Sequence, residues 1–257
     1  MPWPIPEGES DRLALAKGYP FPAPDGSYLF AEGDHRPLTS AADAGLFAGR
    51  TPVVAHGSNR SPEQLARKYG AAATIPVSRG WLAGYDVVYS AHITQYGSVA
   101  STLQYAPGTA ALVSITWLDD AQLQRMHETE GPSTYQFGEL AGIAMALEVG
   151  PAATLERASV YLSSNGCLSR EGGRTELSSA VAEPIGLAAV TARPRPHGAL
   201  AQEEALDHVQ RRHRSDEPLD RMILRSVADL GYRQALVAEM KASAVPASAP
   251  HFAPEVR

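Results

Sequence analysis

The stretch that most constrains the fold is Val53-Val54-Ala55-His56-Gly57-Ser58-Asn59, followed at once by Arg60-Ser61-Pro62-Glu63-Gln64-Leu65-Ala66-Arg67-Lys68. A short apolar run ends in a glycine turn, and the turn runs into a helix start. Ser61 reads as an N-cap, Pro62 sits at the first helical position, and Gln64 completes an S-x-x-Q box. Gly57 has no Cβ, so the backbone there can turn sharply or approach a ligand. Ser58 and Asn59 add small polar groups beside main-chain N–H donors at the strand end, which is the composition of an anion or carboxylate cradle. An ordinary strand-to-helix connector has the same grammar, and the loop alone leaves both readings open.

The 257 residues suffice for one large domain or one domain with substantial appendages. A formal net charge of −6 gives no support to nucleic-acid or anionic-membrane binding, which need a basic face. Cys167 is the one cysteine, so no intrachain disulfide forms and a reducing cytosol fits. The N-terminal MPWPIPEGESD lacks the positive and apolar regions of a signal peptide, and no apolar run approaches the ~18 residues of a membrane span. The expectation is a soluble, cytoplasmic protein.

Six prolines within the first 24 residues argue for an extended arm over residues 1–50, with a brief helix from Ser10 to Lys17 stopped by Gly18 and a turn at Ala23-Pro24-Asp25-Gly26. Trp3, Tyr19, Phe21, Tyr28 and Phe30 suggest that the arm lies against something apolar. Farther on, Trp81–Ser90 reads as a strand. Ser98–Tyr105 alternates, Ala106-Pro107-Gly108-Thr109 reads as a turn, and Ala111–Leu118 is the return strand of a hairpin. Tyr135–Leu140 and Ala141–Val149 look like further strands with a turn between them, and Arg157–Leu162 like one more.

Between these strands lies Asp119-Asp120-Ala121-Gln122-Leu123-Gln124-Arg125-Met126-His127-Glu128-Thr129-Glu130-Gly131. Asp119 is a natural N-cap with Gln122 three residues on, and Gly131 is a natural stop. Leu123 and Met126 define the buried stripe. Glu130 is at i+4 from Met126 and i+7 from Leu123, so it shares the apolar face, while Glu128 is rotated away. A carboxylate on an inward stripe is costly unless it has a task or a partner. The alternative is a frayed last turn that leaves Glu130 in water.

Four pieces together resemble the γ-glutamylcyclotransferase family: AHGSN (55–59), YGSVASTLQYAPGTAALVSITWL (96–118), MHETEG (126–131) with Tyr135, and VYLSSN (160–165). They occur in the family's order and at about its spacing, over roughly residues 51–165. The resemblance implies an α+β fold, a small closed mixed β-barrel with surrounding helices, and a pocket between the GSN loop and the glutamate. It also implies Glu130 as the catalytic residue, with Ala55, His56, Gly57, Ser58, Asn59, Tyr96, Gly97, Tyr135 and Tyr161 around the substrate. Family members usually carry Tyr before Gly-Ser-Asn. Here that position is His56, which bears on substrate identity and on turnover itself.

The implied reaction is intramolecular: the α-amine of a γ-glutamyl group attacks its own γ-amide carbonyl, closing 5-oxoproline and expelling an amine or amino acid. A carboxylate must take a proton from the attacking nitrogen and return it to the leaving one, and burial is expected to raise the pKa of Glu130 towards neutrality for that work. The 55–59 loop supplies N–H donors for the substrate carboxylate or the developing oxyanion. No metal, nucleotide or other cofactor is required, and G-x-x-x-x-G-K-[ST], H-E-x-x-H and G-x-S-x-G are absent. The partner is a small γ-glutamyl compound, with no nucleic acid and no membrane. Cys167 reads as a small buried residue and His127 as a solvent-facing one. Two rivals stand beside the cyclotransferase: a carboxylate-binding protein without activity, and a γ-glutamyl amidase or acyltransferase.

Beyond residue 165 the sequence is less informative. Pro184–Ala192 reads as a final apolar segment, and Ala199–His213 as a polar helix. Leu219, Met222, Ile223, Val227 and Leu230 form a helical stripe that Gly231 interrupts, and 246–257 reads as a disordered tail. The helices of 166–245 are open to three roles: capping the pocket, forming a homodimer interface, or packing on the core.

Overall fold

A computed structural model describes residues 4–39, 45–131, 134–170 and 182–255. Trp3, much of the loop expected at 169–173 and the last two residues lie outside the described residues.

The architecture is a closed five-stranded mixed β-barrel with additional strands and, among the described residues, six α-helices. The ring runs β4 (Ile75–Ile93), β5 (Val99–Leu118), β3 (Thr51–Ala55), β7 (Thr154–Ser163), β6 (Tyr135–Leu147) and back to β4. All these pairings are antiparallel except β3 with β7, where Val53 faces Ser159 and Val54 faces Val160. The short strands β1 (Tyr28–Ala31) and β2 (Asp34–Pro37) extend the sheet from β4.

The two turns expected within 98–118 and 135–149 are instead bulges inside long strands. Strand β5 runs unbroken through Pro107-Gly108, and its pairing with β4 steps from Ala83/Ala110 to Tyr85/Tyr105. Strand β6 runs unbroken through Gly142, with a register step between Ala141 and Met145. Gly84, Gly108 and Gly142 all have positive φ at these steps. The extra residues bend strands that are far longer than the usual five or six, which lets the sheet close on itself. The real hairpin turn between β4 and β5 lies at Thr94–Ser98, where Thr94 N donates to Ser98 O and Gly97 N to Thr94 O.

Helix α1 (Glu9–Lys17) starts one residue before the expected cap, and the segment after it is part of the core. Tyr19, Phe21, Tyr28 and Phe30 are all buried. Three short pairings follow β7, namely β8 (Gly186–Leu187), β9 (Ala192–Arg193) and β10 (Ala199–Leu200). Then come α4 (Gln202–His213), α5 (Leu219–Ala228) and α6 (Leu230–Ala242). The break between the last two falls at Asp229 rather than Gly231, because the Asp229 side chain accepts from Tyr232 N and starts the new helix. The expected tail forms β11 (Phe252–Pro254), paired with β6 from Phe252 to Leu140 and Pro254 to Gly138, so residues 252–254 are not disordered. Among the described residues no helix is long and apolar enough to cross a membrane.

Two apolar clusters set the positions of the helices. The larger joins barrel residues such as Leu82, Leu103, Ile115 and Val160 to Leu15, Leu206, Ile223 and Leu236 of the helices. The smaller brings Leu65 of α2 (Pro62–Tyr69) and Met126 of α3 (Asp120–Glu130) onto Val53, Val77, Leu118 and Phe137. It is this second cluster that places α2 and α3 side by side at the end of β3.

Candidate functional site

Helix α3 begins as expected: Asp119 Oδ1 accepts from Gln122 N at 2.9 Å, and Gln122 Oε1 accepts from Asp119 N at 3.2 Å. Helix α2 does not. Ser61 occupies the N-cap position, but its hydroxyl caps nothing and is buried without a partner, as is Gln64 Oε1. The backbone sets that helix start through Pro62, and the side-chain box expected at Ser61 and Gln64 is not formed.

Met126 is fully buried, and Glu130, one turn later, points to the same side with its side chain 15% exposed. Glu128 points away and pairs at 3.1 Å with Arg125 on the surface. On the facing helix the same spacing recurs, since Leu65 is fully buried and Lys68, three residues on, has a side chain only 3% exposed. Lys68 Nζ donates to Glu130 Oε1 at 2.5 Å and lies 3.2 Å from Met126 Sδ. Asn59 Nδ2 of the GSN loop donates to the same carboxylate oxygen at 2.9 Å.

Burial alone pushes the Glu130 carboxyl up, but the Lys68 ammonium and the Asn59 amide outweigh it and hold the group below the ordinary carboxylate range. This corrects the sequence expectation of a carboxyl raised towards neutrality. The expectation considered the desolvated pocket and not the cation that neutralises it.

The loop itself is held by a chain of hydrogen bonds with one consistent proton arrangement. His56 Nε2 lies 3.1 Å from the Tyr161 carbonyl, which can only accept, so Nε2 carries the proton. His56 Nδ1 then accepts from Ser101 Oγ at 3.1 Å, and Ser101 Oγ accepts from Tyr19 Oη at 2.6 Å. Tyr19 Oη in turn accepts from Ser101 N at 3.0 Å. Burial keeps His56 in this neutral form, lowering its pKa, and pushes the Tyr19 phenol up to about 12. Ser101 beside His56 has the composition of a nucleophile and its base. It is nonetheless 1% exposed, hemmed in by Tyr19 and Gly57, so the chain serves to fix the loop.

Gly57 is required by close approach. A Cβ there would lie 2.3 Å from Tyr19 Oη and 2.6 Å from Ser101 Oγ. Gly57→Val is therefore expected to disturb the fold as well as the loop, by the ~1–3 kcal/mol typical of overpacking. Urea unfolding of the variant checks this. A midpoint equal to that of the wild type would show that the neighbours yield without cost.

Loop, helices and strands enclose a cavity of about 440 Å³. Of the expected site residues, Ala55, His56, Gly57, Ser58, Asn59, Tyr96, Glu130, Tyr135 and Tyr161 line it. Gly97 does not. It serves the β4–β5 turn, with φ +87°, and packs beneath Ile223 and Val227 of α5. His127 is not solvent-facing either: it is half-buried, with Nδ1 2.5 Å from Tyr161 Oη and its ring edge-on to Phe137. Buried Tyr96 and half-buried Tyr135 have phenols pushed upward by desolvation, so both hydroxyls are neutral, and Tyr135 Oη donates to the Ser101 carbonyl at 3.2 Å. The Cys167 thiol, pushed up to about 12 by burial, lies away from the cavity wall.

The lining residues that went unassigned in the sequence include Tyr19, Gln64, Lys68, His92, Ser101 and Arg233. Among the described residues, no three His, Cys, Asp or Glu side chains gather as a metal ion would need. Comparison with family models, with curated proteins and with solved structures gave no match in any of the three. The chemistry of the cavity therefore rests on its own residues.

Proposed function

We propose that this protein is a γ-glutamylcyclotransferase-like enzyme that releases 5-oxoproline and a free amine from a γ-glutamyl compound. The observation that carries the reading is Glu130, an ionised carboxylate in the cavity wall, hydrogen-bonded by the Asn59 amide of the GSN loop. In this reading the substrate's α-amine attacks its own γ-carbonyl carbon and a C–N bond forms. The attacking nitrogen is most acidic once that bond is forming, so even a weakly basic carboxylate can take its proton. Glu130 then returns the proton to the leaving nitrogen as the original amide bond breaks. The loop N–H groups offer hydrogen bonds to the substrate carboxylate and the oxyanion. A cavity that holds the γ-glutamyl chain folded supplies much of the acceleration, because ring closure of a pre-oriented chain has a large effective molarity.

One observation favours the inactive binding protein. Glu130 is ion-paired with Lys68 through Oε1, so a substrate ammonium must compete for the same carboxylate. The experiment that separates the two is product analysis on γ-glutamyl compounds. Release of 5-oxoproline supports the enzyme, binding without product supports the binding protein, and free glutamate supports the amidase.

A further inference from the structure

Strand β4 and helix α6 also contribute to the cavity wall, and the charged group of α6 there has a different character from the Glu130–Lys68 pair. Arg233, in the first turns of α6, lines the cavity half-buried. Its Nη1 donates to the Ser226 carbonyl of α5 at 2.5 Å, which holds the head in place. No Asp or Glu among the described residues lies within ion-pair distance of it, although sixteen such contacts occur elsewhere in the molecule. A guanidinium has five donors, so most of this one is available to a ligand. Gln234, also lining the cavity, stands beside it.

The charge balance of the cavity points the same way. Glu130 and Lys68 cancel, His56 and His92 are held neutral, and Arg233 is the charge left over. We propose that Arg233 is the anion-binding residue of a second subsite at the α6 wall, and that the cavity takes ligands bearing a carboxylate on the part remote from the GSN loop. Under the cyclotransferase reading, on which the substrate class rests, this selects γ-glutamyl compounds whose leaving amine carries a carboxylate. The α-ammonium and α-carboxylate of a γ-glutamyl group cancel each other. A γ-glutamyl amine would therefore leave Arg233 unmatched, whereas an amino-acid leaving group supplies the missing negative charge. The His92 ring, on β4, reports on the same spot: its pKa is pushed down to about 4, first by burial and then by the charge of Arg233.

The test uses γ-glutamylalanine and γ-glutamylethylamide, which differ only in that carboxylate, with affinity measured by calorimetry. The wild type should bind γ-glutamylalanine at least ~10-fold more tightly, the usual scale for a charge-assisted hydrogen bond. Arg233→Gln should lose that preference while its affinity for γ-glutamylethylamide stays the same, and Arg233→Lys should keep part of it. A wild type without preference, or an Arg233→Gln protein that retains it, overturns the proposal. A second arm needs no γ-glutamyl chemistry: propionate is titrated while the His92 ring is followed by NMR. A saturable shift in the wild type that Arg233→Gln abolishes supports the subsite, even if neither γ-glutamyl compound binds and the cyclotransferase reading fails. No shift, or one unchanged in Arg233→Gln, overturns the subsite.

Discussion

Glu130→Gln is expected to lose turnover by at least ~10²-fold, the scale of removing a general base, while still binding ligand. Glutamine keeps the shape of the side chain, and its amide oxygen can still accept from Asn59 Nδ2 and Lys68 Nζ, the two donors at Oε1. What it cannot do is carry a proton between the attacking and leaving nitrogens. Glu128→Gln, two residues earlier, should be nearly silent, because Glu128 is exposed and pairs with Arg125 on the surface. The comparison is informative because the two glutamates lie two residues apart on one helix, and the face each presents sets its burial and its partners. Both variants are to be checked for folding and assayed for 5-oxoproline beside the wild type. Full activity in Glu130→Gln, or loss in Glu128→Gln, would contradict the assignment.

The second large effect is on stability. Lys68→Met is expected to cost about 3 kcal/mol at neutral pH, because it leaves the Glu130 charge in a buried setting without its cation. The pH dependence follows from the direction of the shift. In the wild type the folded-state pKa of Glu130 lies below its ordinary value of 4.5, so the site's contribution is present above that value and lost as pH falls through the folded pKa. In Lys68→Met burial acts with little to oppose it and the pKa rises, so the penalty is present above the new pKa and fades on acidification. The gap in unfolding free energy between variant and wild type should therefore be widest near pH 7 and narrow towards pH 4. A gap that stays constant over that range would show that the loss is one of packing and not of charge.

Much of the barrel was legible because its strands alternate or carry β-branched residues. The positions of its bends were not. Pro107-Gly108 and the Leu140–Gly142 segment have the local composition of turns, and only the pairing of neighbouring strands shows that the chain continues straight on with a bulge. Local chemistry specifies a departure from regular geometry, and the sheet decides whether that departure reverses the chain or bends it. The same limit applies to the arm. Its aromatic residues announced burial, but nothing in the sequence placed Tyr19 against Ser101, 82 residues away.

In the site, helix geometry alone distinguished Glu130 from Glu128. The identical argument, applied to α2, finds Lys68 on the stripe of Leu65, and the pair would then have reversed the expected pKa shift. Ser101 had a signal as well, as a polar residue between Val99 and Leu103 on the apolar side of an alternating strand. Arg233 had none, because a cation on a helix is ordinarily a solvated one. Its position in the cavity depends on how α6 packs against β4.

The central claim is that the cavity converts a γ-glutamyl compound to 5-oxoproline. The direct measurement is to incubate the purified protein with a panel of γ-glutamyl amino acids and γ-glutamyl amines, and to quantify 5-oxoproline, free glutamate and the released amine. 5-Oxoproline and amine are expected in equal amounts from at least one compound, with no glutamate. Tight binding of the panel with no product, or glutamate in place of 5-oxoproline, would contradict it.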